Sequence, residues 1–239
     1  MQQGPGRLVT IAIVGDYDPN NLTHCATSEA LSHAAEKLGV LLNLDWIGTD
    51  EPILLDRVRT CQAILIAPGS PYRNLSAVLE VIQDGRERNI PVLGACGGCQ
   101  HIVLEYARNI LGFQDAGHAE EDPNSSNLFI TPLSCSLVGQ RLPVRLAKGS
   151  RTRAFYGGAA EIVESYYCNF GINPDHWNRL NQGGLKIVGI DDLGEPRVLE
   201  IPESNFYVAT LFVPQVASRP GNPHSLVKAF VEATVSTST

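Results

Sequence analysis

The stretch from Ile90 to Gln100, IPVLGACGGCQ, decides the reading of this chain. Pro91 to Ala95 is a short apolar run of strand type, and the segment from His101, HIVLEYARNIL, has a helical pattern. Between them Gly94-Ala95-Cys96-Gly97-Gly98 makes a strand–nucleophile–helix turn of the G-x-nucleophile-x-G type. Small neighbours are needed there, because the nucleophile sits on a sharp, strained bend where larger side chains would collide. Cys96 is expected to project over a sheet edge, where the free amides of the new helix lower a thiol pKa. The backbone N–H of Gly97 is placed to stabilise an oxyanion. A buried, inert cysteine beside a glycine turn explains this placement less well.

Upstream, strand and helix patterns alternate. Leu8 to Val14 reads as a first strand, and a turn-rich DYDPNNLTH leads to a helix from about Thr27 to Leu38, stopped by Gly39. Val40 to Ile47 and Ala63 to Ala67 are further strands, with helices at Ile53 to Thr60 and Leu75 to Arg88. Buried, non-alternating strands separated by helices predict a mostly parallel sheet covered on both faces, an α/β fold. Downstream the β patterns shorten, at Leu128–Thr131, Leu142–Leu146, Glu161–Tyr166, Leu185–Ile190, Val198–Ile201 and Tyr207–Phe212. A last helix follows from about Pro223 to Thr234, ahead of a VSTST tail that reads as frayed. No repeat or low-complexity linker divides the chain, so residues 1–239 are expected to form one domain. Ligands of an open α/β sheet gather at the carboxyl ends of its strands. Those ends carry Asp16, Thr49 to Glu51, Gly69 to Tyr72, and Cys96.

Composition narrows the function classes. The chain has 239 residues, 18 basic and 25 acidic side chains and a net charge of -7. It offers no polybasic footprint for nucleic acid or an anionic membrane. An apolar fraction of 44% with 18% charged residues suits a well-filled core. No apolar run approaches the ~20 residues of a membrane helix, and the polar start MQQGPGR lacks a signal-type segment. Six cysteines are too few for a disulfide scaffold, so reduced thiols in a cytoplasmic protein are expected.

The chain resembles the class I glutamine amidotransferase family, most closely the glutaminase domain of CTP synthase. IAIVGDYD, SEALSHAAEKLG, DWIGTDE, ILIAPGS and IPVLGACGGCQ carry the likeness in order. EYARNILGFQDAGHAEEDPN, LKIVGIDDLGEPRVLEIPESNFYVATLF and SRPGNPHSLVKAFVEA continue it. The resemblance implies a flavodoxin-like class I amidotransferase fold with Cys96 as nucleophile and no cofactor. No trace of the ATP- and UTP-using synthetase domain, nor of a phosphate-binding glycine loop, is expected in the sequence. The family's QFHPE-like segment is here Leu211-Phe212-Val213-Pro214-Gln215, so Val213 stands for the catalytic histidine and Gln215 for its glutamate. Valine cannot carry a proton, which removes the general base and acid of the triad. The oxyanion loop, PGGFG-like in the family, reads Pro68-Gly69-Ser70-Pro71-Tyr72, which implies Ser70 and Gly97 as oxyanion donors. By the same resemblance Gly69, Gln100, His118, Glu120, Tyr166 and Tyr167 belong to the substrate pocket. The arginine that would clamp a substrate α-carboxylate is absent from Glu164-Ser165-Tyr166-Tyr167-Cys168-Asn169.

Individual residues allow two readings each. Cys99 makes a C-x-x-C spacing with Cys96, a redox pattern, although a small core residue accounts for it better. His118 is the best histidine to replace the lost base, or it is a loop histidine. Asp16 and His24 read as loop or cap hydrogen-bonders, His101 as a packing residue and His224 as structural. Tyr166 and Tyr167 alternate along a strand, so at most one faces the pocket. Cys25, Cys61, Cys135 and Cys168 lack metal-ligand spacing, and no zinc is expected. Three functions follow. The first is a cysteine-dependent enzyme acting on a small molecule other than glutamine, through a better leaving group or thiol exchange. The second is a non-catalytic sensor or regulatory subunit. The third is a glutaminase subunit with a substitute base, feeding a separate synthetase chain. A homo-oligomer is compatible with each.

Overall fold

The computed structural model describes Leu8 to Thr237. The MQQGPGR start and the last two residues of the tail lie outside the described residues. Apolar, β-branched runs build the centre of the main sheet. Its parallel half comprises β1 (Leu8–Val14), β2 (Leu41–Ile47), β3 (Ala63–Ile66), β4 (Val92–Ala95) and β12 (Tyr207–Thr210), in the order β2-β1-β3-β4-β12. Every residue of β3, β4 and β12 is buried, as strands covered on both faces require. An antiparallel extension continues from β12 through β11 (Pro196–Glu200), β10 (Lys186–Ile190), β7 (Arg141–Leu146) and β8 (Glu161–Ser165). The α/β fold class is as expected. Its sheet is mixed, because the short downstream strands return as hairpins and need no crossover helix.

Two apolar layers sandwich this sheet. Alternate residues of β1 and β3 go to opposite sides, Ile11, Ile13 and Leu65 to one and Ala12, Val14 and Ile64 to the other. The first layer contains α1 (Leu22–Leu38) and α7 (Ser225–Thr237); the second contains α3 (Leu75–Glu87) and α4 (Gly97–Asn109), with α2 (Leu54–Arg59) at its margin. Helix α1 starts five residues earlier than its apolar pattern suggests. Asn21 caps it by accepting from Thr23 N–H at 2.9 Å, so the end of the turn-rich stretch is already the first helical turn. Two helices escaped the sequence reading: α5 (Arg151–Phe155) and α6 (Trp177–Gly183). Both are too short to display a helical period.

A small second sheet lies beside the carboxyl edge of the parallel strands. It consists of β5 (Gly117–His118), β6 (Leu128–Pro132) and β9 (Phe170–Ile172), in that order. Backbone register brings Ala95 of β4 level with Thr210 of β12, and Ile66 of β3 level with Gly94. The ends of these strands therefore form one ledge, at which Cys96 stands.

Candidate functional site

Cys96 leaves β4 with φ 53° and ψ −111°, a conformation that side-chain-bearing residues rarely adopt. Its N–H still extends the β-ladder to Thr210 O at 2.8 Å, and its carbonyl already accepts from Gln100 N–H at 3.2 Å as the first bond of α4. One residue thus ends a strand and starts a helix. The glycines around it are required by contact: a Cβ on Gly97 would lie 2.1 Å from Gly69 O, and one on Gly98 2.3 Å from Ile66 O. The start of α4 is pressed against the end of β3 and the loop after it. The strained nucleophile turn expected from Gly94 to Gly98 is therefore present.

The thiol itself is almost buried, 8% exposed, and its pKa is lowered. The largest cause is a hydrogen bond from the Cys168 thiol; the backbone amides of Gly97 and Gly69 add to it. Burial and the nearby Glu120 carboxylate oppose them. The donors outweigh them at a sulfur that begins a helix. The Gly97 and Gly69 amides thus both favour the Cys96 thiolate. Ser70 lines the cleft, follows Gly69 and precedes a cis peptide to Pro71, and its N–H forms no hydrogen bond among the described residues. Cys168 was singled out only as lacking metal-ligand spacing. It lies in the loop from β8 to β9, inside the Glu164–Asn169 segment assigned to the pocket, and that was the available signal.

The cleft over Cys96 has a volume of about 350 Å³ and is lined by Asn21–Thr23, Pro68–Ser70, Gln100, Glu120 and Tyr167–Phe170. Gln100 is held rigidly, donating Nε2–H to Phe170 O at 2.9 Å and accepting at Oε1 from His118 Nε2 at 3.1 Å. His118 stands behind Gln100 and does not line the cleft. Its Nδ1 accepts from Glu120 N–H, so both ring nitrogens are occupied, and burial lowers its pKa to about 4. A neutral imidazole with no free lone pair is not a substitute base. Tyr167 faces the cleft. Tyr166 is fully buried instead, edge-on to Phe212 and beneath the Arg197 guanidinium, because alternation along the chain turns it into the core.

Val213 is buried, and its N–H donates to Ser165 O. It is not among the residues that line the cleft, and its side chain packs in the same apolar layer as Cys96, Phe212 and Phe230. Gln215 is 1% exposed and both of its amide atoms lack hydrogen-bond partners among the described residues. It lines an adjoining cavity of about 580 Å³ that shares Leu22 and Tyr167 with the cleft. Titratable side chains on the cleft are limited, among the described residues, to Cys96, Glu120, Tyr167 and Cys168.

The remaining candidates are structural. His24 donates Nε2–H to Pro68 O and accepts at Nδ1 from Asp18 N–H, which fixes the loop that carries Gly69. Asp16 accepts from Thr49 and from Arg73 N–H, tying three strand ends together. His101 bonds Gly97 O, and His224 bonds Glu164. Cys99 is buried on the opposite face of the sheet from Cys96, and burial raises its pKa. The described residues contain no group of three or more His, Cys, Asp or Glu side chains that could hold a metal ion.

Comparison with known proteins places this geometry. The profile of glutamine amidotransferase class-I matches residues 23–233. The chain belongs to the class I glutamine amidotransferase family. Within that family it is 32% identical to CTP synthase of Bradyrhizobium diazoefficiens over 97% of its own length and 46% of the relative's. It is 30% identical to CTP synthase of Saccharolobus solfataricus, over 96% and 45% respectively. This class I amidotransferase chain thus spans about half the length of the curated relatives it matches. Among solved structures, the glutaminase domain of Trypanosoma brucei CTP synthase with bound acivicin superposes with a TM-score of 0.87 at 24% identity, covering 95% of this chain and 94% of that one. A glutamine amidotransferase of Thermotoga maritima follows the same fold with a TM-score of 0.62 at 10% identity, over 95% and 98%. No helix among the described residues is long and apolar enough to cross a membrane.

Proposed function

We propose that this protein is a cysteine-dependent enzyme of the class I amidotransferase type, whose substrate is a small molecule other than ordinary glutamine. Cys96 is the nucleophile, and Gly69 and Gly97 are the amide donors for charge developing beside it. Val213 and Gln215 occupy the sequence positions of the family's histidine and glutamate, so the triad is degenerate. The observation that carries this reading is the pairing of an activated Cys96 with a cleft that no histidine lines.

Expelling ammonia from a tetrahedral intermediate requires a positioned acid, and a thiolate leaving group does not. The site therefore suits thioesters or sulfur-centred electrophiles better than amides. The missing carboxylate-clamping arginine points away from glutamine as well. The test compares a small thioester with glutamine on the purified protein, Cys96→Ser serving as control. Thioester turnover that depends on Cys96, with negligible ammonia from glutamine, is the expected result. Ammonia release near one per second, an ordinary enzymatic rate, would mean that a substitute base exists.

A second reading is a non-catalytic binding or regulatory subunit, favoured by the buried, proton-inert Val213 and Gln215. It requires Cys96→Ser to leave ligand binding intact while no substrate turns over. A CTP synthase-like partnership with a separate synthetase chain, or a homo-oligomer, fits either reading.

A further inference from the structure

We infer that Cys96 and Cys168 together form a dithiol–disulfide centre that takes small-molecule disulfides, with Cys96 as the attacking and Cys168 as the resolving thiol. The inference rests on the reading of Cys96 as nucleophile and adds a second sulfur to it. Three features carry it. The two cysteines line the same cleft, which has room for a small ligand, and are anchored to consecutive carbonyls, Cys96 N–H to Thr210 O at 2.8 Å and the Cys168 thiol to Leu211 O at 3.5 Å. Their protons are unequally held: the sulfur at the helix start is favoured as thiolate, whereas Cys168 keeps its proton as the donor. An attacking and a resolving cysteine need this asymmetry. Finally, Cys168 sits on the loop between β8 and β9, outside the hydrogen-bonded strands, where its thiol donates to Leu211 O at 3.5 Å.

The Cys96–Cys99 pair, which the C-x-x-C spacing suggests, is the weaker candidate. Cys99, on the buried side of α4, lies in the other apolar layer and lines no part of the cleft.

The steps balance without an external acid. The Cys96 thiolate attacks a disulfide R–S–S–R, forming a Cys96–S–S–R mixed disulfide and releasing R–S⁻. Cys168 then gives up its proton to the departing thiolate or to solvent and attacks the Cys96 sulfur. A Cys96–Cys168 disulfide forms and the second R group leaves as R–S⁻, which takes its proton from solvent. The substrate is reduced by two electrons and the protein oxidised by two. A dithiol reductant returns the protein to its starting state. Loss of the family's histidine is harmless in this chemistry, since neither leaving group needs an acid.

Full-length protein is treated with one equivalent of dithiodipyridine and mapped without reduction. The expected product is a Cys96–Cys168 cross-link, with the chain lighter by two hydrogens and carrying no adduct. In Cys168→Ser, which keeps a hydrogen-bond donor, the reaction should stop at a stable pyridyl adduct on Cys96. A persistent adduct on wild-type Cys96, or a Cys96–Cys99 cross-link, would overturn the dithiol centre while leaving Cys96 a nucleophile. Failure of Cys96 to react with either the disulfide or iodoacetamide would instead sink the underlying reading. Thermal unfolding of Cys168→Ser beside wild type identifies a misfolded variant, and the wild-type cross-link map decides the matter without it.

Discussion

At Cys96 the balance is between three donors that favour a thiolate and two effects, burial and Glu120, that oppose it. A hydrogen bond to a charged group favours the charged form, so deleting the Cys168 donor should raise the Cys96 pKa. Cys168→Ala is therefore expected to move the midpoint of the alkylation–pH curve upward, and Cys168→Ser, which keeps a donor, to move it less. Equal shifts in both variants would mean that the hydrogen bond is not the cause. His118 has a different pH signature. Its folded pKa of about 4 lies below the ordinary 6.5, so the unfolded chain takes up a proton first as pH falls. Stability from this group is complete above about 6.5 and is lost progressively down to about 4. The loss approaches about 3 kcal/mol for a shift of this size. His118→Gln should flatten the slope of unfolding free energy across that window, measured by urea titration; an unchanged slope would mean that His118 is not buried as described.

The elements that hold the site together are α4, the end of β3 and the loop that carries Gly69. Gly98→Ala would put a methyl group 2.3 Å from a backbone carbonyl, which cannot swing away as a side chain can. We expect a loss of about 3 kcal/mol in urea unfolding together with slower Cys96 alkylation, because the elbow must open. Unchanged stability would show that the packing of α4 on β3 is looser. Helix α4 is also tied to α3 by the buried Arg86–Glu105 pair, at 2.6 Å. Much of this level was legible in the sequence. The five parallel strands and the turn at Cys96 stand within a residue or two of their expected places, since buried strands and glycine turns have strong local signals. The short elements α5, α6, β5 and β9 lacked enough residues to show a period. Cys168 escaped notice because it is remote from Cys96 in sequence and reaches it only through the β8–β9 loop. Tyr166 and Tyr167 could not be told apart until the strand's facing was known.

Over the whole molecule, the fold and family of a class I amidotransferase are combined with a cleft whose titratable side chains, among the described residues, are two cysteines, one exposed carboxylate and Tyr167. The chain spans 46% of one CTP synthase relative. The proposed departure from glutamine chemistry depends on a single property, the activation of one sulfur by the architecture around it. That property can be read directly by iodoacetamide labelling of all six cysteines over a pH series, followed by peptide mapping. The account predicts that Cys96 is alkylated faster than the more exposed Cys25 and Cys135 near neutral pH, with an apparent pKa below the free-thiol value of about 8.5. A pKa at or above that value, or faster labelling of Cys99, would contradict it.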